Sequence, residues 1–369
     1  MVACFLATII SPAAGQGRVS REDVADRILA LDPRWTVSFE TAPSAPAGYD
    51  QQMGYVPLKG GELVAIDLNE GVVKWKVALA TPLTPATGDG FVFAAGDSAV
   101  TALDQQSGRT VWRTPLDSPI STPLYWDSGW LLASTDAGDL IALDPDDGRV
   151  LWRNALASPV SVAPTASGDR LYISLRDGRV AAISLESGLS LWAYPLNESV
   201  TGVLALEDQL LVGSRSNVLH SFELGRARIR WTQKAGADIA GAPIADDKLI
   251  YFAAFDNVLR ALDRNSGNLK WTRNLPSRPA GGPLLADHVV LLPFVTTDIV
   301  AYVATTGVES FTIRAIGELG GVPFLRENTR PTAPRLIAMS RDGSLQGFSP
   351  RVEPPPAPLA ELPGVRVGG

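Results

Sequence analysis

Short hydrophobic runs alternate with turn-forming residues along most of the chain, and the pattern repeats about every 40 residues. In the unit that ends at Tyr194, runs rich in β-formers lie at 160–165, 171–175, 180–183 and 191–194, bounded by Gly, Asp or Asn. Each unit is therefore predicted to contain four short strands joined by tight turns. A repeat of this length and content is typical of one blade of a β-propeller.

An aromatic residue recurs at the same place in every unit. Such regularity indicates a structural ring packed between neighbouring blades, because a binding surface would not need an aromatic in every blade. The recurring residues are Trp35, Trp75, Trp112, Trp152, Trp192, Trp231 and Trp271, with Phe311 in the eighth place.

A fixed phrase precedes most of these aromatics, as in Ala102, Asp104, Gly108 and Trp112. The aspartate can accept hydrogen bonds from amides inside a turn, and the glycine suits a position with positive φ. We expect the small alanine to leave room for the indole to stack. Three units depart from the phrase, and we expect their blades to pack less tightly. The departures are Ser184 in one unit, Ser221, Glu223 and Ala227 in the next, and Val303 with Phe311 in the third.

A second marker supports this division into units. Seven units carry a proline shortly after the aromatic position, where a residue that cannot donate to a ladder marks a strand start or a bulge. These are Pro46, Pro85, Pro123, Pro164, Pro243, Pro283 and Pro323.

The two ends of the repeat are complementary. Residues 35–39 form a strand that no phrase precedes, and residues 344–349 form a third strand that no aromatic follows. Pairing them would complete an eighth blade and leave no long free edge. The sequence therefore predicts an all-β fold, an eight-bladed β-propeller over residues 35–350, with four-stranded antiparallel blades closed by an N-terminal strand.

The flanking segments have different characters. Residues 1–17 contain an apolar run followed by small residues, which is typical of a secretory signal. A lipid anchor at Cys4 and an ordinary buried strand are the alternatives. Residues 18–34 are predicted as a short helical lead-in, and the Pro-rich tail 351–369 as disordered or extended.

Composition narrows the classes of function. The net charge of −7 argues against nucleic-acid binding, which normally requires a basic surface. His220 and His288 lie far apart in the repeat, which makes a multi-histidine metal centre improbable. Cys4 is the single cysteine, so an exported protein without disulfides is expected if the first residues are removed.

Places where the repeat is broken are candidate partner contacts. An insertion at 326–335 and a strand with alternating arginines would suit a carboxylate-bearing partner, and an out-of-register tryptophan pair at a hairpin could be a binding hot spot. The alternative for the insertion is a solvated loop, and the alternative for the arginine strand is an ordinary solvated face. For the tryptophan pair the alternative is local packing. The candidates are Arg326, Arg330 and Arg335; Arg226, Arg228 and Arg230; and Trp126 with Trp130.

The phrase carried by Ala65, Asp67, Gly71 and Trp75 resembles the tryptophan-docking motif of propellers of the pyrroloquinoline-quinone (PQQ) type. The resemblance covers residues 35–349. It has two relevant branches. Quinoprotein dehydrogenases bind PQQ and calcium at the propeller axis, and many stack the quinone on two adjacent cysteines, which this sequence lacks. The BamB family comprises non-catalytic lipoproteins of outer-membrane protein assembly.

Length and nearly bare blades favour the second branch. The expectation is a non-catalytic scaffold without cofactor, located in the periplasm or cell envelope, with a protein partner such as an outer-membrane barrel assembly protein. Peripheral membrane association through Cys4 stays open. The alternatives are a PQQ-dependent dehydrogenase-like enzyme and a periplasmic propeller that binds a polysaccharide or peptide.

Overall fold

The computed structural model describes residues 31–327 and 333–351, in which 32 β-strands form eight separate four-stranded sheets. All neighbouring strands pair antiparallel, and the described residues contain no helix. The predicted eight-bladed propeller is therefore confirmed.

Blades 1 to 4 follow one another along the chain, each built from four consecutive strands. Blade 1 contains β2 (Gly48–Tyr49), β3 (Met53–Leu58), β4 (Glu62–Asp67) and β5 (Val72–Ala78); blade 2 contains β6 (Ala86–Gly88), β7 (Phe91–Gly96), β8 (Ala99–Asp104) and β9 (Thr110–Pro115); blade 3 contains β10 (Tyr125–Asp127), β11 (Trp130–Ser134), β12 (Asp139–Leu143) and β13 (Val150–Ala155); blade 4 contains β14 (Thr165–Ser167), β15 (Arg170–Ser174), β16 (Arg179–Ser184) and β17 (Ser190–Pro195).

Blades 5 to 7 continue the same order, and blade 8 borrows its fourth strand from the start of the described chain. Blade 5 contains β18 (Val200–Ala205), β19 (Gln209–Ser214), β20 (Val218–Glu223) and β21 (Ile229–Lys234); blade 6 contains β22 (Ile244–Ala245), β23 (Leu249–Ala254), β24 (Val258–Asp263) and β25 (Leu269–Asn274); blade 7 contains β26 (Leu284–Ala286), β27 (Val289–Pro293), β28 (Asp298–Val303) and β29 (Glu309–Arg314); blade 8 contains β30 (Phe324–Leu325), β31 (Leu336–Met339), β32 (Ser344–Pro350) and β1 (Leu31–Ser38).

The first strand of each blade lies toward the axis and the fourth lies at the rim. First strands of neighbouring blades, such as β2 and β6, contact one another. The second and third strands are almost fully buried, whereas fourth strands such as β5 and β17 alternate between exposed and half-buried residues. Because each sheet is covered on both faces by its neighbours, its central strands are continuous hydrophobic runs.

The connections divide between two faces of the ring. Within a blade, the turn between the first two strands and the turn between the last two lie together: the Leu68 amide donates to the Gln52 carbonyl at 2.8 Å, and the Arg264 amide to the Lys248 carbonyl at 2.9 Å. We call this the turn face, and the third connection of each blade, such as 68–71, its docking turn. The remaining hairpins and the links between blades lie on the opposite face.

Ring closure follows the predicted pairing. β1 pairs antiparallel with β32, with Trp35 opposite Gly347 and Ser38 opposite Ser344. The strand begins at Leu31, four residues before the predicted boundary at 35, and Pro33 sits at the register shift of this pair. A proline fits there because a bulge does not need its missing N–H. The predicted helical lead-in otherwise lies outside the described residues.

Proline placement explains the shape of the first strands. The seven prolines stand immediately before or within two residues of a first strand, as Pro85 does before β6, so these strands hold only two or three residues. Blade 5 has no such proline, and its first strand, β18, runs for six residues. The first strands are therefore short because proline lacks the backbone N–H that would extend their hydrogen-bond ladder.

Candidate functional site

The recurring indoles dock on the turn of the next blade. In five cases the indole N–H donates to the carbonyl that follows the phrase's aspartate position, with nitrogen–oxygen distances of 2.7–3.2 Å. A Cβ atom on the turn glycine Gly148 would lie 2.4 Å from Trp112, so the ring occupies the space of the missing side chain. The pairs are Trp35 with Leu68, Trp75 with Gln105, Trp112 with Pro145, Trp152 with Leu185 and Trp271 with Ala304.

The turns have the predicted chemistry. Asp104 accepts from the Ser107 amide at 2.8 Å, and Gly108 takes a φ of 70°. Hydrogen bonds from the hydroxyl and amide of Ser107 lower the pKa of the Asp104 carboxyl. The backbone and hydroxyl of Ser266 act likewise on Asp263, whose pKa falls to about 2.

The alanine of the phrase lies in the same blade as its indole. Ala102 lies directly opposite Trp112 on the neighbouring strand of the same blade, next to the register shift between Ala102 and Leu103. The flat surface against which the ring stacks is instead the glycine turn of the following blade. A small residue is needed at both places, because the indole crosses from one blade to the next.

Phe311 stands where no docking turn follows. The last two strands of blade 8 are β32 and β1, which are not consecutive in the chain, so no turn presents a carbonyl to an indole N–H. Phe311 packs instead on the apolar cluster between blades 7 and 8. An aromatic ring without a donor avoids leaving a buried N–H unpaired.

Blade 5 compensates for its altered phrase through a buried polar pair. Ser221, in the alanine position, donates to Gln209 Oε1 at 2.6 Å, and Gln209 Nε2 donates to the Arg264 carbonyl of blade 6 at 3.0 Å. Both side chains are fully buried. That carbonyl is the one the Trp231 indole would use by analogy with the other blades, and the Trp231 N–H has no acceptor.

The other side of blade 5 repeats this exchange. The Tyr172 hydroxyl donates to the Leu224 carbonyl at 3.1 Å, and the Trp192 N–H is left without an acceptor. Ala227, in the glycine position, does not adopt positive φ, so this docking turn has another shape. Blade 5 is therefore joined to both neighbours by bonds that the repeat does not encode.

Arg326, predicted as a partner contact, is buried, with 4% of its surface exposed. Its Nε donates to the Gln51 carbonyl at 2.9 Å, Nη1 to the Pro334 carbonyl at 2.8 Å and Nη2 to Asn69 Oδ1 at 3.1 Å. Burial lowers the pKa of this guanidinium. Arg326 therefore ties blade 8 to blade 1 and does not present a free charge. The remaining arginines of the insertion differ: Arg335 pairs with Asp287 at 2.8 Å, and Arg330 lies outside the described residues.

The arginine stripe is exposed on blade 5. Arg228 pairs with Glu223, and Arg230 pairs with Asp208 at 2.8 Å. Arg226 is exposed, and within residues 31–327 and 333–351 it forms no ion pair. Burial by itself would raise the pKa of Asp208, but hydrogen bonds from Arg230 and Arg264 hold it below its usual value.

Trp126 and Trp130 flank the predicted hairpin but do not form an exposed pair. Trp126 stacks on Phe93 of blade 2 at a ring-centroid distance of 5.3 Å, in the cluster between blades 2 and 3. Trp130 belongs to the cluster between blades 3 and 4. The two rings therefore pack on opposite faces of blade 3.

The three candidate surfaces share one face of the ring. The Trp126–Trp130 hairpin and the insertion 326–335 connect first to second strands, and Arg226 lies in a docking turn. β1 begins and β32 ends on this turn face as well, since Leu31 pairs with Pro350. Each of the three candidate surfaces therefore includes residues of the turn face.

The site chemistry of the dehydrogenase branch is not matched by these residues. The described part of the chain holds no group of three or more His, Cys, Asp or Glu residues that could bind a metal ion. The acidic run Asp144–Asp147 is an ordinary docking turn, where Asp144 accepts from the Asp146 amide. A single cysteine cannot form the two-cysteine ring. Cys4 lies outside the described residues, among which no helix could span a bilayer.

The comparisons with known proteins point to one family. Its model, described as "Outer membrane protein assembly factor BamB", matches residues 24–122, 96–206 and 176–312. No curated protein sequence is significantly similar to this chain.

Solved structures share the propeller fold at low identity. BamB from Moraxella catarrhalis is 16% identical, with a TM-score of 0.71 over 86% of this chain and 99% of that chain. Quinohemoprotein alcohol dehydrogenase from Comamonas testosteroni is 14% identical, with a TM-score of 0.70 over 93% and 80%. Saccharomyces cerevisiae Sqt1 is 11% identical, with a TM-score of 0.73 over 87% and 100%.

Proposed function

We propose that this chain, which belongs to the family described as outer membrane protein assembly factor BamB, is a non-catalytic scaffold that holds partner proteins in the periplasm or cell envelope. The observation that carries the proposal is the extent of the family match, which reaches from residue 24 to residue 312. The partner we propose is a barrel assembly protein of the outer membrane.

The short connections between strands support a scaffold function. Turns such as 89–90 and 128–129 are as short as a hairpin allows, and the longest connection inside a blade is 326–335. An enzyme of the dehydrogenase branch would need insertions that build a site at the axis. A rigid ring with short turns instead offers a broad, pre-formed surface, which keeps the entropic cost of association low.

The test is a pull-down of the tagged full chain from native envelope membranes after mild crosslinking, read by mass spectrometry. Recovery of an outer-membrane barrel assembly protein, with crosslinks on one face of the propeller, is the expected result. Purification of the chain from the soluble periplasmic fraction without such a protein would contradict it.

Reconstitution with PQQ and calcium tests the alternative enzyme. The scaffold proposal expects neither stoichiometric quinone absorbance nor alcohol oxidation. Quinone-dependent turnover would replace the proposal with the dehydrogenase function.

A further inference from the structure

Blade 5 departs from the repeat at several places. It lacks the strand-start proline, carries Ser221 and Ala227 in the phrase, and is flanked by two indole N–H groups without acceptors. Irregularities that cost stability are more frequent at functional sites than elsewhere, and the third and fourth strands of this blade carry two of them, Ser221 and the unpaired Trp231 N–H.

A groove of about 500 Å³ runs along the outer strand of this blade. One wall is formed by Arg228 and Arg230 with Glu223, the other by Asn265 and Ser266 in the docking turn of blade 6, and Trp231 forms part of the lining. The groove therefore combines two guanidinium groups, an amide, a hydroxyl and an aromatic ring.

We propose that this groove binds an extended segment of a partner protein through its Asp or Glu side chains. The inference rests on the proposed scaffold function and names the surface and the chemistry by which that scaffold would hold its partner. Arg228 and Arg230 both line the groove, and each can bind a carboxylate with two parallel hydrogen bonds.

The existing ion pairs can be exchanged at little cost. Arg228 has 69% of its side chain exposed, and its partner Glu223 has 26%. Pairs of this kind typically contribute about 0–1 kcal/mol. A carboxylate from a partner segment can therefore replace Glu223 or Asp208, and the exposed Arg226, two residues before Arg228, adds a further positive charge to the same turn.

The pair of arginines is specific to this blade. A basic residue also stands before the docking aromatic in blades 1, 6 and 8, as Lys74, Lys270 and Arg34, but blade 5 alone carries a second one two residues earlier, Arg228. On a protein with a net charge of −7, an acidic segment is favoured where two positive side chains line one groove. The doubled charge therefore favours this groove over the single basic residues of the other blades.

Blade 3 supplies a matched control. Arg149 stands three residues before Trp152, as Arg228 stands three residues before Trp231. It pairs with Asp144 at 3.1 Å and has 65% of its side chain exposed. Arg153, in the same blade, pairs with Asp117 at 2.9 Å and has 41% of its side chain exposed. Arg149→Glu/Arg153→Glu therefore makes the same change of charge as Arg228→Glu/Arg230→Glu and also loses two ion pairs, without touching the groove.

The experiment titrates a fluorescent peptide of about ten residues, alternating Glu and Thr, into the full chain and follows anisotropy. Binding is expected, with at least about tenfold weaker affinity for Arg228→Glu/Arg230→Glu and unchanged affinity for Arg149→Glu/Arg153→Glu. A peptide with Gln in place of Glu is expected not to bind. Absence of binding by the Glu peptide, or equal losses in both variants, would overturn the inference.

The envelope pull-down separates this inference from the proposed function. If Arg228→Glu/Arg230→Glu recovers the barrel assembly protein as well as the unaltered chain does, the groove inference falls and the scaffold function stands. If the unaltered chain recovers no such protein but still binds the Glu peptide, the function falls and the groove stands.

Discussion

At the residue scale, the phrase glycines of the docking turns leave no space for a side chain, because an indole of the preceding blade occupies it. Gly148 has positive φ and lies under Trp112, whereas Gly129, also with positive φ, has no atom within 4 Å of the place where a Cβ would be. A side chain at Gly129 would therefore meet only backbone strain, whereas a side chain at Gly148 would meet backbone strain and a steric clash with the indole.

Alanine at each position tests this difference. Gly129→Ala should cost about 1–2 kcal/mol of unfolding free energy, since only the left-handed backbone is penalised. Gly148→Ala should cost about 1–3 kcal/mol more, because the new methyl group meets the Trp112 ring. Denaturant unfolding of both variants measures the difference, and equal losses would show that the ring contact contributes nothing.

The Gln209–Ser221 pair allows a second residue-scale test. Ser221→Ala leaves Gln209 Oε1 buried without a donor and should cost about 1–3 kcal/mol. Adding Gln209→Leu frees the Arg264 carbonyl for the Trp231 N–H and should recover most of that loss. Denaturant unfolding and the Trp231 indole proton resonance follow the two effects, and additive losses would contradict the exchange of acceptors.

At the element scale, Arg326 holds blade 8 against blade 1. Arg326→Met should cost about 2–4 kcal/mol, because it removes a buried cation together with donors to the Gln51 carbonyl and to Asn69. Arg335→Met, which breaks the partly exposed pair with Asp287, should cost less, about 1 kcal/mol. Thermal unfolding compares them, and a smaller loss at Arg326 would mean that the closing blades do not depend on this side chain.

Sequence periodicity predicted the elements well for a physical reason. The residues of the phrase, such as Asp104, Gly108 and Trp112, make contacts that recur at fixed separations along the sequence. The structure of one blade therefore predicts that of the next. The missing proline in blade 5 could also have predicted its long first strand. Arg326, by contrast, contacts Gln51, which is remote in sequence, and no period reveals such a partner.

The candidate site was predicted only in part for the same reason. The sequence gives no reason to distinguish the three arginines of the insertion. In the structure, however, Arg326 is buried between blades and Arg335 forms an ion pair with Asp287. From the sequence, Ser221 in place of alanine is expected to weaken the packing of its blade. The structure shows instead that Ser221 donates a hydrogen bond to Gln209. Departures from a repeat locate irregular blades, but their meaning depends on contacts between blades.

At the scale of the whole molecule, stability should pass through a broad plateau in pH. The pKa values of several aspartates, among them Asp67, Asp104, Asp208 and Asp263, are lowered in the folded state. Their contribution is complete above the unfolded pKa near 3.8 and is lost as the pH falls through the folded values. Thermal midpoints should therefore decline below about pH 4.

The alkaline limit has the opposite sign. Burial raises the pKa of Tyr302 to about 12 and also raises those of Tyr55 and Tyr251. Their neutral phenols stabilise the fold below the unfolded pKa of 10, and this contribution fades as the pH rises further. Midpoints that stay constant to pH 11 would contradict it.

The shared eighth blade has a consequence for how the protein is made. Among the described strands β1 leaves the ribosome before all the others, and its partner β32 leaves after all of them. A nascent chain that stalls before Ser344 keeps an unpaired edge at Leu31–Ser38, however many blades have already formed. The ring can therefore close only on a chain that has been translated through β32, so closure itself distinguishes a chain that carries all eight blades from one truncated within them.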